Sequence, residues 1–338
     1  MASNNAPAPD AEVAIPPSLR GAILKALKVS LLSLLPLHAI AILVLGHSGV
    51  AASRILTAVA PALGAACVIW RAQQLAKRER AAWRWLVLAM LFYSAGQITE
   101  VWLGRYGAAS NLAVDAADFF YITAAIPLLL AVSSTRETES IRGVSYLDFA
   151  QVSLALMLTW VLLFETAKPA RMLSTEMMWI YGAECFLLAV AAALRLASWS
   201  TFEERRRIRL MGGVLWLYLP IEVGMDYATS RWHLRAGTPL DLLWSVPFLY
   251  GGWRALHLPM DETPASAAGR PLHRAKLLAE SLCPLLFTFG IFALAVSINR
   301  QHPVLAFAAI FLLLVIQGLH AGLIQVRFLT GKKLLLER

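Results

Sequence analysis

The sequence predicts an all-α polytopic membrane protein with about ten transmembrane helices. Three observations carry that expectation. The chain is 59% hydrophobic and only 15% charged, against about 25% charged residues in an ordinary soluble domain. Apolar runs approaching the roughly 20 residues needed to cross a bilayer recur along its whole length, separated by short polar joints. Of its 30 Lys and Arg residues, only Arg54, Arg105, Lys168, Arg171, Arg231, Arg235 and Arg300 fall in the alternate loops, and the other 23 lie on the opposite side. Basic loops stay cytoplasmic, so both termini are expected inside a bacterial inner membrane.

The segment 1–28 begins MASNNAPAPDAEVAIPPSLR, rich in Ala and Pro and without the apolar core of a signal peptide. It reads as a disordered cytoplasmic tail. The transmembrane domain is expected over 29–323. Its first window, 29–46, must itself serve as the insertion signal. The second, 55–71, lies between Arg54 and the basic KRER joint. The third, 84–103, carries Glu100 near its end, and the fourth, 117–134, opens on Asp118. The fifth, 147–165, follows the polar TRETESIRG joint, and the sixth, 177–194, holds Glu184. Window seven, 209–228, follows FEERRRIR and contains Glu222 and Asp226, while window eight, 240–256, opens on Asp241. Windows nine and ten, 277–297 and 304–323, lead into a cytoplasmic helical linker stub over 324–338. A net charge of +9 is explained by basic loops beside anionic lipid and calls for no nucleic acid.

A repeat is visible. YSAGQITEVWLGRYG followed by DAADFFYITAAIPLLLA matches YLPIEVGMDYATSRWHLRAG followed by TPLDLLWSVPFLYGGWRAL. Each is a span ending in an acid, then an aromatic and arginine loop, then Asp-x-x-aromatic opening the next span. Glu100 pairs with Asp226 and Asp118 with Asp241, which suggests a parallel repeat of four helices with the last two spans outside it.

Asp118 and Asp241 read equally as N-terminal caps of their helices or as members of a site. Glu100, Glu184, Glu222 and Asp226 are harder to assign to capping, because an ionisable side chain inside a span is costly and faces a cavity or a partner. Arg105, Arg231, Arg235 and His233 are the expected ion-pair partners if the acids are structural. If they are functional, Glu100, Asp118, Glu222, Asp226 and Asp241 bind a small ligand that is cationic or donates hydrogen bonds. Trp102, Tyr121 and Trp244, with Tyr106 and Trp232, form either an interfacial aromatic belt or a stacking surface for that ligand.

No phosphate-binding G-x-x-x-x-G-K-[ST], H-E-x-x-H or C-x-x-C occurs. No enzymatic constellation, metal site or cofactor is therefore expected. Cys67, Cys185 and Cys283 sit in apolar runs as small hydrophobes. His38 and His320 are expected to make interhelical hydrogen bonds rather than ligate haem. Gly318 and Gly322 form a G-x-x-x-G that would let span ten pack against another helix or a second copy as a homodimer.

AWRWLVLAMLFYSAGQ, the aromatic loop, ADFFYITAAIPLLLA and TPLDLLWSVPFLYGGWRAL, together spanning Trp83 to Leu256, resemble the multi-span bacterial sensory modules that precede GGDEF diguanylate cyclases or histidine kinases. In such modules the last span continues into a cytoplasmic coiled linker, and HAGLIQVRFLTGKKLLLER resembles its start. The resemblance implies signal transduction from an outward ligand site to a cytoplasmic cyclase or kinase partner. It departs from the pattern in having no GGDEF loop and no phosphoacceptor His box, so the output module is expected on a separate polypeptide or on a segment missing from this chain. The alternative is a small-molecule or ion transporter, since repeated helices with intramembrane acids also describe transporters.

Overall fold

The computed structural model describes residues 16–45, 49–75, 77–105, 111–133, 142–165, 172–197, 202–232, 237–258 and 288–336. Among the described residues every regular element is helical: α1 (Pro17–Leu45), α2 (Gly49–Gln73), α3 (Lys77–Arg105), α4 (Asn111–Ser133), α5 (Arg142–Trp160) with a π-helical end (Val161–Glu165), α6 (Met172–Ala197), α7 (Phe202–Trp232), α8 (Asp241–His257), α9 (Thr288–Ile298) and α10 (Pro303–Leu336). Six stretches are long and apolar enough to cross a bilayer: Pro17–Val44, Val50–Gln73, Asp115–Val132, Ile180–Ala197, Glu203–Thr229 and Pro303–Leu323. Phe149–Glu165 and Thr288–Ile298 are apolar but shorter. Helices satisfy all their backbone polar groups internally, the condition hydrocarbon imposes.

The surface supports a lipid environment. Val304 is 81% exposed and Leu43 75%, and with Phe307, Phe311 and Leu314 they leave large apolar side chains uncovered along α1 and α10. A water-soluble surface rarely carries apolar patches this extensive, whereas acyl chains cover them. This is a helical membrane protein.

Every expected window overlaps a helix, but the helices run further. Hydropathy registers only the apolar part of a helix, and polar flanks with good helix formers extend it. α1 starts at Pro17, inside the segment expected to be a disordered tail. Proline suits a first helical position, where its missing N–H costs nothing, and LRGAILKALK continues the helix into the apolar run.

α2, α3, α4, α6, α7 and α8 pack in that order into a closed ring, with α8 returning to α2 and α3 also meeting α7 across it. α1 lies outside against α2 and α8, and α5 lies outside against α4. The ring closes tightly because small residues meet at its seams. A Cβ added to Gly252 of α8 would lie 3.4 Å from the Gly64 Cα of α2, and one on Gly64 would lie 3.0 Å from the Phe248 carbonyl oxygen. Trp83, Leu86, Met90, Leu188 and Met211 fill one half of the interior and are essentially inaccessible. A second cluster joins Ile126 of α4 to Leu154 and Leu158 of α5, Ile291 and Ala295 of α9, and Ala309 and Leu313 of α10.

At the filled end two buried ion pairs tie the ring. Arg71 of α2 meets Glu203 at 3.2 Å and donates to the Leu258 carbonyl, while Arg195 of α6 meets Glu204 at 2.6 Å and donates to the Val132 carbonyl.

Candidate functional site

The other half of the ring holds a half-open cavity of about 260 Å3. Five helices each contribute one carboxylate and one aromatic ring to its lining: Tyr93 and Glu100 of α3, Tyr121 and Asp118 of α4, Tyr181 and Glu184 of α6, Tyr218 and Glu222 of α7, and Trp244 and Asp241 of α8. α2 supplies Arg54 and Thr57, and Gln97 and Cys185 complete the wall. On α4, α6, α7 and α8 ring and acid are three or four residues apart, the spacing that places two side chains on one face of a helix. Glu100 is seven residues after Tyr93, two turns along the same face.

The rings form a continuous belt. Trp244 and Tyr218 have centroids 5.7 Å apart, Tyr218 and Tyr93 5.4 Å, Tyr93 and Tyr121 6.0 Å, and Tyr121 and Tyr181 6.3 Å. Tilted contacts at these distances are the favoured aromatic geometry and hold the walls in register.

Each acid has its own surroundings. The Tyr181 hydroxyl donates to Asp118 at 2.6 Å, and Tyr218 and Glu222 line the cavity one turn apart on α7. Glu100 lies 3.7 Å from the Arg54 guanidinium and accepts a long 3.5 Å bond from Tyr121. Asp241 Oδ2 accepts from the Ser53 hydroxyl at 2.9 Å and from the Gly237 N–H at 2.6 Å. Because Ser53 spends its one proton on Asp241, it accepts from His38, whose Nε2 is 2.8 Å away and therefore carries hydrogen. Glu184 makes no hydrogen bond or ion pair among the described residues, and it lines the cavity together with Glu222.

Of the residues expected at a site, Glu100, Asp118, Tyr121, Glu222, Asp241 and Trp244 are brought together. Trp102 is not: it is 62% exposed on the outer face of α3, and Trp232 is likewise exposed, as an interfacial belt requires. The side chains of Asp226, Arg105 and Tyr106, and the residues His233 and Arg235, lie outside the described residues, as does Cys283. Among the described residues the ion-pair partner at this end is Arg54 rather than the loop arginines.

Neither aspartate is a cap. α4 begins at Asn111, so Asp118 lies two turns inside the helix. Asp241 is the first residue of α8, but the N–H groups of Asp241, Leu242 and Leu243 are already bonded to the Thr238, Pro239 and Leu240 carbonyls. Its carboxylate reaches back to Gly237 instead. That loop position needs glycine, since φ is +91° and a Cβ would meet Val50 Cγ2 at 2.7 Å.

His38 makes the interhelical bond expected of it, and Cys67 and Cys185 are buried free thiols, with Cys185 also bordering the cavity. A Cβ built on Gly318 or Gly322 meets nothing within 4 Å, so the G-x-x-x-G faces away from the other described residues. No family model, curated protein or solved structure matches the chain.

Sequence reasoning missed Arg54, Thr57, Tyr93, Gln97, Tyr181 and Tyr218. The signal that would have found the three tyrosines is the pairing of a tyrosine with an acid at helical spacing in four of these spans.

Proposed function

We propose that the protein is a sensory module of the bacterial inner membrane that binds a small ligand in this cavity and signals to a cytoplasmic cyclase or kinase. The observation that carries the reading is the convergence of Glu100, Asp118, Glu184, Glu222 and Asp241, from five helices, on one cavity. A group of acids inside a membrane bundle is expensive and is retained where it meets something that enters.

α4 supplies the coupling. Asp118 and Tyr121 face the ligand cavity, while Ile126, further along the same helix, packs in the cluster with α5, α9 and α10. The π-helical end of α5 touches the same wall, with Leu163 packed on Ile122 and bordered by Tyr181. π segments break the regular hydrogen-bond ladder and are favoured at sites that adjust. α10 continues to Leu336 as a single helix, long enough to carry a displacement out of the bilayer.

The reading includes ten spans, both termini inside, and two parallel four-helix halves. The order of the ring supports the repeat, since shifting α2, α3 and α4 onto α6, α7 and α8 reproduces it. Tyr93 and Tyr218, Tyr121 and Trp244, and Asp118 and Asp241 then correspond, and so do the arginine bonds to Leu258 and Val132. Repeated halves around a central site also favour a transporter. Against it, α4, α7 and α8 run unbroken through Pro127, Pro220 and Pro247, and the far half of the ring is plugged by Trp83, Met90 and Met211.

Hydrogen exchange in nanodiscs tests the coupling without knowledge of the ligand. Glu222→Gln should change amide protection in α5 and in α10, not only in the ring. Changes confined to the ring would refute the sensory reading, and solute uptake into proteoliposomes would replace it with transport.

A further inference from the structure

The cavity's lining also indicates what enters it. Resting on the assignment of this cavity as the ligand site, we propose that the ligand is a small organic ammonium ion, seated on Glu184 and Glu222 and enclosed by the tyrosine belt.

Four properties of the lining lead there. Charge comes first: among the described residues five carboxylates and one guanidinium, Arg54, line the cavity, and Arg54 lies 3.7 Å from Glu100. The juxtaposition of Glu184 and Glu222 in a bundle interior is repulsive unless a proton or a cation is shared between them. A cation entering there gains both carboxylates, and Glu184 has no competing bond among the described residues.

Second, the arrangement suits an organic cation rather than a metal ion. Among the described residues no group of three or more His, Cys, Asp or Glu side chains is placed to hold a metal. The five acids come from five different helices, and Asp118 and Asp241 are tied to their own walls by Tyr181 and by Ser53 and Gly237. A bare divalent ion needs six or more oxygens close around it. An ammonium spreads its charge and its N–H donors over several ångströms, matching acids that are dispersed.

The walls themselves are the third property. Tyr93, Tyr121, Tyr181, Tyr218 and Trp244 border the space with aromatic rings, and a cation over the face of such a ring within about 6 Å is attracted by its quadrupole. The aliphatic part of an ammonium also packs on these rings, which hydrated sodium or calcium cannot do. Size is the fourth. A volume of about 260 Å3 falls below the roughly 300–1,000 Å3 of sites for drug-sized ligands.

The test is calorimetric titration of the full-length purified protein in detergent with n-butylammonium, its neutral analogue n-butanol, and calcium chloride. The expected result is saturable binding of n-butylammonium alone, weakened roughly tenfold or more by Glu184→Gln, the effect of losing one charged contact. Glu222→Gln provides a second variant if Glu184→Gln fails to fold, and it too should weaken binding. The proposal is overturned if n-butanol binds as well as n-butylammonium, if calcium binds and the amine does not, if nothing binds at millimolar concentration, or if the folded variant binds as tightly as the native protein. These results leave the sensory reading standing. Conversely, amine binding that leaves α10 exchange unchanged supports the ligand class and refutes the sensory reading.

Discussion

Replacing Glu204 with glutamine separates the acids that hold the bundle together from those that line its cavity. The Arg195–Glu204 contact is 2.6 Å, and the two side chains are 3% and 6% exposed. Glutamine preserves shape but leaves the Arg195 guanidinium buried without its counter-charge, although the bond to the Val132 carbonyl at 3.1 Å survives. Removing one partner of a buried pair costs about 3–5 kcal/mol. At roughly 2–4 °C per kcal/mol, the melting temperature in detergent should fall by about 10 °C. Glu100→Gln is the internal control. Its pair with Arg54 is 3.7 Å long with 34% and 45% exposed side chains, a geometry worth under about 1 kcal/mol, so it should melt close to the native protein. Adding Arg195→Met to Glu204→Gln should recover part of the loss, because the Arg195 charge then no longer stays buried without Glu204. The assay is the fraction of monodisperse protein after heating, read by size-exclusion chromatography. Glu204→Gln melting within about 2 °C of native, against the shift expected from the same conversion, would refute the reasoning.

Other outcomes follow from the same geometry. Gly96→Ala would place a Cβ 2.5 Å from the Tyr121 ring, so that ring must swing away. Tyrosine fluorescence and ligand binding should both change, with a stability cost of about 1–3 kcal/mol. Ser53→Ala breaks the bridge from His38 to Asp241 and leaves two buried polar groups short of a partner. About 1–3 kcal/mol should be lost, visible as a lower melting temperature than that of Ser33→Ala, whose hydroxyl bonds only a nearby exposed carbonyl. For topology, cysteines at Ala108 and Leu240 should react with an impermeant maleimide from outside, and cysteines at Gln74 and Arg205 should not, in a chain lacking the native thiols. The reverse pattern would invert the orientation. Gly237 is unsuitable as a labelling position because of its positive φ.

The sequence alone determined that this is a bundle of helices in a membrane, because the bilayer's demand for apolar, internally bonded segments is met locally, one window at a time. It also singled out Glu100, Glu222 and Asp241, since an acid in an apolar run is conspicuous without knowledge of its neighbours. Helix ends were less legible. Hydropathy stops where polar residues begin, whereas the helix does not, and this displaced Asp118 from an expected cap to the third turn of α4. Trp102 and Trp244 were equivalent as aromatics near span ends, yet one faces outward and the other faces the cavity. Only the closure of α8 onto α2, and of α4 onto α6, decides which faces point inward. Tyr93, Tyr181 and Tyr218 belong to the site for the same reason: each helix's period places a tyrosine and an acid on one face, but which faces meet is set by packing between segments distant in the sequence.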